Sequence, residues 1–84
     1  MRTTQDDIRK WLKEGKEKGA THVVIVCDTF DYDDYPVFVM PDQKVLEVLG
    51  RFHKEQNMQK VMECYSLSKD LEPQISEHRA WHTD

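Results

Sequence analysis

The 84-residue sequence predicts a single small α+β domain over residues 1–84. Its expected element order is α-β-β-α-β-α, with three helices packed on a three-stranded antiparallel sheet of strand order 2-1-3. Three observations predict this. Residues 23–27, VVIVC, form an unbroken apolar run, which suits a strand buried on both faces and therefore central. Apolar residues recur at helical spacing before and after the strand-like middle of the chain. Pro36 falls in the next strand-like run, and a residue that cannot donate to a ladder belongs on an edge.

The first helix is expected over residues 4–18. Thr3 or Thr4 can cap it, and Asp6 and Asp7 sit in the first turn, where carboxylates suit the positive end of the helix dipole. Ile8, Trp11, Leu12 and Gly15 make its apolar stripe. Lys16 and Lys18 close the last turn, and Gly19 supplies a left-handed stop. The segment THVVIVCDTF then alternates along two faces: His22, Val24, Val26 and Asp28 on one, Val23, Ile25, Cys27 and Thr29 on the other. DYDD interrupts it and YPVFVM resumes it, which makes an antiparallel hairpin.

Pro41 and Asp42 are expected to open a second helix with Val45, Leu46, Leu49 and Phe52 as its buried stripe and Asn57 as its stop. Residues 59–67 suit either element, because Val61, Met62 and Tyr65 also fit a helical stripe. A strand is preferred, since Val, Cys and Tyr favour pleated surfaces. A last helix follows Asp70, with Pro73 held to its first turn and Leu71, Ile75 and His78 on one face.

Composition narrows the partners. Twelve basic residues against 16 acidic ones leave a net charge of −4, which argues against nucleic acid, whose affinity rests on phosphates neutralised by Lys and Arg. The longest apolar run is far shorter than the roughly 20 residues that span a bilayer, so no membrane association is expected. The first residues, MRTTQDDIRKW, carry no apolar leader. With Cys27 and Cys64 both in apolar strand-like stretches, the expectation is a cytoplasmic protein with reduced thiols. A chain this short has a thin core, which leaves room for a homodimer.

The densest candidate site is the hairpin tip: Asp28, Asp31, Tyr32, Asp33, Asp34 and Tyr35. It reads three ways. Aspartates are common in turns because they bond the local backbone. Tyr32 and Tyr35 could instead anchor a protein contact, with the carboxylates meeting a basic partner. A hard cation would also want several oxygens, but the glycine of a calcium loop is missing. Near the C-terminus, His78 and His82 stand four apart, which is half of a zinc site. Glu77, His53 and Cys64 are candidates to complete it, and nothing in the sequence brings them together. Ile75, His78 and Trp81 form a second candidate surface, an interface on the last helix. No glycine-flanked nucleophile and no phosphate-cradling glycine loop is present. Catalytic residues, metal ligands and cofactors are accordingly expected to be none.

The runs ATHVVIVCDTFDYDDYPVFV and NMQKVMECYSLSKDLEPQISEHRAWH resemble a family of short uncharacterised proteins of phages, prophages and bacteria. The resemblance extends over most of the chain and brings no activity or site residues with it. It implies an accessory protein working in the host-cell cytoplasm. The leading expectation is therefore a non-enzymatic protein that binds a host protein through the acidic Tyr/Asp tip. The alternatives are a homodimer that sequesters a small, nucleotide-like ligand, and a metal-dependent hydrolase using Asp28, Asp31 and Asp33.

Overall fold

A computed structural model describes residues 3–52, 59–77 and 79–83. Helix α1 spans Gln5–Lys18, strand β1 His22–Asp28, strand β2 Asp34–Val39, helix α2 Val45–Phe52, strand β3 Gln59–Ser66 and helix α3 Leu71–Ser76. The three strands form one antiparallel sheet in the order β2-β1-β3. Both the element order and the sheet order are those the sequence predicts.

The apolar run in β1 is central for the reason its composition suggests. Val23 and Ile25 pack with Ile8, Leu12, Tyr65 and Ile75, so α1 and α3 cover that face. Val24 and Val26 pack with Val39, Val48, Leu49 and Val61, so α2 covers the other. All four β1 residues are at most 1% exposed. A strand sandwiched between two cores cannot tolerate polar residues on either face, which is why alternation disappears there.

Helix α1 begins with a capping box. Thr4 Oγ1 accepts the Asp7 N–H at 3.2 Å while the Asp7 carboxylate accepts the Thr4 N–H at 2.9 Å. It ends at Gly19, whose φ of 79° is left-handed, as a helix stop requires. Gly15 lies where the helix touches the sheet. A Cβ there would fall 2.7 Å from Val23 Cγ2, so only glycine allows this approach.

Helix α2 corrects one expectation. It starts at Val45, not at Pro41, because residues 41–44 are taken up by a turn. The Gln43 side chain accepts the Met40 N–H at 2.9 Å, and the Gln43 N–H returns to the Met40 carbonyl at 2.9 Å. The core-facing stripe is Val48 and Leu49, buried, flanked by the partly buried Val45 and Phe52, at helical spacing. Leu46, expected in that stripe, lies about a quarter-turn away and is 69% exposed. Asn57, the expected stop, is outside the described residues.

Strand β3 settles the ambiguous segment in favour of the pleated reading, with one irregularity. Val61 stands opposite Val26 and Glu63 opposite Ile25, so Met62 is an extra residue in a β-bulge. After α3 the backbone becomes extended at Glu77, and Trp81 forms a parallel bridge with Cys64. Among the described residues no helix is long and apolar enough to cross a membrane.

Candidate functional site

The turn from β1 to β2 is built by its own aspartates. Asp28 Oδ1 accepts the Phe30 N–H at 2.9 Å, and the Asp28 carbonyl accepts the Tyr32 N–H at 2.6 Å. Asp31 Oδ1 accepts the Asp33 N–H at 3.1 Å. The Asp28 N–H closes the base on the Asp33 carbonyl at 2.9 Å. Two short carboxylates thus hold backbone donors two residues on, the local bonding that favours Asp in turns. The turn reading and the contact reading are therefore compatible: these carboxylates shape the loop that presents its neighbours.

What the turn presents is aromatic. Phe30 is 78% exposed and Tyr32 72% exposed. Tyr32 is the one described non-glycine residue with positive φ, at 60°. That conformation is costly for a bulky side chain. Phe30 is the residue that sequence reasoning passed over. Its signal was available, since an apolar ring between turn-forming aspartates has no strand face to bury it.

The remaining tip residues lie lower on the hairpin. Asp34 is already in β2, where its Oδ2 accepts the Thr3 hydroxyl at 2.6 Å and ties the segment before α1 to the hairpin. Tyr35 is half-buried against the α2-side core and its hydroxyl bonds the Gln59 side chain. It is a packing residue and not an exposed anchor. Burial holds its phenol above the ordinary value, with Asp28 contributing less. Cys27 is raised in the same way, chiefly by burial and then by the Asp34 carboxylate beside it. A thiol among carboxylates is a poor nucleophile.

The C-terminal candidates separate. Ile75, expected at an interface, is 6% exposed and spent in the core under α1. Trp81 is 44% exposed beside β3. His78 and His53 lie outside the described residues. The His82 ring meets the Glu77 carboxylate at 2.9 Å, while the Cys64 thiol donates to the His82 carbonyl at 3.3 Å and not to its ring. Among the described residues, no group of three His, Cys, Asp or Glu side chains is placed to hold a metal ion.

Comparisons with known protein families, with curated proteins and with solved structures found no match.

Proposed function

We propose that this chain is a binding protein that engages a protein partner through the β1–β2 turn. The observation that carries this reading is the exposure of Phe30 and Tyr32 on a turn pinned by Asp28 and Asp31. Exposed aromatics on a rigid support lose little entropy on docking and dominate the energetics of many interfaces. The carboxylates around them give the partner its character: an apolar recess for two rings, rimmed by Lys or Arg. The setting follows from the resemblance to phage and bacterial proteins, namely a host-cell cytoplasm.

The test is affinity capture from bacterial lysate with a tagged chain, comparing wild type with Phe30→Ala/Tyr32→Ala and with Asp31→Lys/Asp33→Lys. Both pairs are expected to lose the captured protein. The aromatic pair should keep the wild-type unfolding midpoint, whereas the charge reversal should lower it modestly, because Asp31 holds the Asp33 N–H. A partner retained by the aromatic pair would overturn the assignment.

A further inference from the structure

An open cleft of about 650 Å³ lies beside the first turn of α1, on the sheet face that α1 and α3 share. That volume falls among small-molecule sites, which run from about 300 to 1,000 Å³. Strand β3 forms one wall, and its bulge decides what the wall carries. In a regular strand, residues three apart point to opposite faces. The extra Met62 returns Lys60 and Glu63 to the same face. Lys60 stands opposite Cys27 and Glu63 opposite Ile25, and those two β1 residues are on one side of the sheet. Lys60, Met62 and Glu63 all line the cleft. Re-aiming side chains in this way is a recurrent use of bulges.

Asp34, Glu77 and Arg79 also line the cleft, but Asp34 holds the Thr3 hydroxyl, Glu77 meets the His82 ring and Arg79 is bonded to the Met62 carbonyl. The two charges on β3 are held differently. Glu63 is positioned: its Oε2 accepts the Tyr65 hydroxyl at 2.9 Å and the Ala80 N–H at 3.4 Å. Its Oε1 has no donor among the described residues. Lys60 is exposed and makes no ion pair there, with Glu63 or any other described residue. The β1 residues opposite them are two apart, about 7 Å along a strand. With Lys60 on a flexible exposed stem, a compact zwitterion can bridge the two, its ammonium on Glu63 and its carboxylate on Lys60, through charge-assisted bonds. Ile8, Met62 and Ile75 border the same cleft and offer apolar contact to a side chain. A ligand with only one sign of charge would satisfy one group and face a like charge at the other.

From this arrangement we infer that the cleft binds a free α-amino acid with an apolar side chain. The site is separate from the aromatic turn and does not depend on it. The experiment is calorimetry and thermal unfolding of the full chain with leucine, methionine and phenylalanine, each as the free amino acid, the N-acetyl form and the amide. At least one free amino acid is expected to bind saturably and raise the unfolding temperature. Capping either end should weaken binding about tenfold or more. Lys60→Gln, at an exposed position, should do the same without changing the fold. Glu63→Gln keeps an acceptor for Tyr65 and Ala80 and should also weaken binding. No response to any free amino acid, an equal response to the capped forms, or unchanged affinity in Lys60→Gln would each overturn the proposal.

Discussion

The side chain of Gln74 meets both backbone groups of Ser66: its Oε1 accepts the Ser66 N–H at 2.8 Å, and its Nε2 donates to the Ser66 carbonyl at 2.9 Å. Both residues are buried, and Nε2 also reaches the Asp70 carbonyl at 2.9 Å. One amide therefore does at this point what a fourth strand would do. Truncation to Gln74→Ala leaves a buried donor and acceptor unpaired and opens a cavity, which should cost about 2–4 kcal/mol. Gln74→Glu should cost at least as much, because a carboxylate cannot donate to the Ser66 carbonyl. Urea unfolding of the two variants tests this; a loss well under 1 kcal/mol in both would refute the role.

Ser66 belongs to a pattern that covers the outer edge of β3 from Val61 to Ser66. Two residues back, the Cys64 N–H donates to the Ala80 carbonyl at 3.0 Å and its carbonyl accepts the His82 N–H at 2.9 Å. Arg79 Nε then donates to the Met62 carbonyl at 3.1 Å. The β2 edge is protected differently. Because Asp28 bonds Asp33 and Val39 bonds Thr21, antiparallel alternation turns the backbone groups of residues 34, 36 and 38 outward. Pro36 stands at the middle of those three and removes the N–H that an added strand would need. Pro36→Thr should leave the monomer fold intact and increase self-association, seen as concentration-dependent growth in light scattering. A variant that stays monomeric at millimolar concentration would show that Pro36 is not the guard.

Two glycines make a matched pair. Alanine is normally better than glycine inside a helix by about 1 kcal/mol. At Gly50 a Cβ meets nothing within 4 Å, so Gly50→Ala should stabilise by about 0.5–1 kcal/mol. At Gly15 the new carbon would also crowd Leu67 and Phe38, each at 3.2 Å, besides Val23. Overpacking of this kind costs about 1–3 kcal/mol and reverses the sign. Chemical denaturation of both variants side by side checks the pair.

Alkaline pH should loosen the fold. Burial pushes the Cys64 thiol from 9.0 up to about 11. The Tyr65 phenol is raised too, first by burial and then by its bond to Glu63. Each folded value exceeds the unfolded one, so the neutral form is favoured in the fold. The stabilisation is whole below pH 9 and is lost as pH rises toward the folded values. Urea midpoints measured across that range should fall. Cys64→Ala should reduce the earlier part of the decline, to which the raised Cys27 thiol also contributes, while Tyr65 maintains the later part. A midpoint flat to pH 11 would contradict the burial of both groups.

The contrast between β1 and α2 explains how much of this was legible in the sequence. Residues 23–26 announce their place because burial on both faces constrains every side chain in the run. The start of α2 was missed because Gln43 spends its side chain on Met40, a bond that propensity at Pro41 does not reveal. The bulge at Met62 was invisible for a similar reason: it is a property of pairing between β3 and β1, not of either strand alone. The candidate turn was found from its aspartates, yet their work is structural. The exposed ring of Phe30 was legible beside those turn-forming aspartates; the positive φ of Tyr32 was not, because it depends on the hydrogen bonds that close the turn.

Tyr32 ties that geometry to the proposed function and gives the sharpest test of it. A non-glycine residue at φ 60° carries about 1–2 kcal/mol of backbone strain. Glycine adopts the same conformation freely but loses more entropy on folding. Tyr32→Gly should therefore leave stability unchanged or raise it by about 1 kcal/mol. A strained, exposed tyrosine retained where glycine is easier fits a residue whose side chain is used by something outside the fold. The same substitution is then expected to lose the captured partner, while Tyr32→Phe keeps most of it. Stability and binding would move in opposite directions, which a merely structural turn cannot produce. If Tyr32→Gly instead unfolds the protein more easily, the ring is contributing to the fold and the turn is not free to dock.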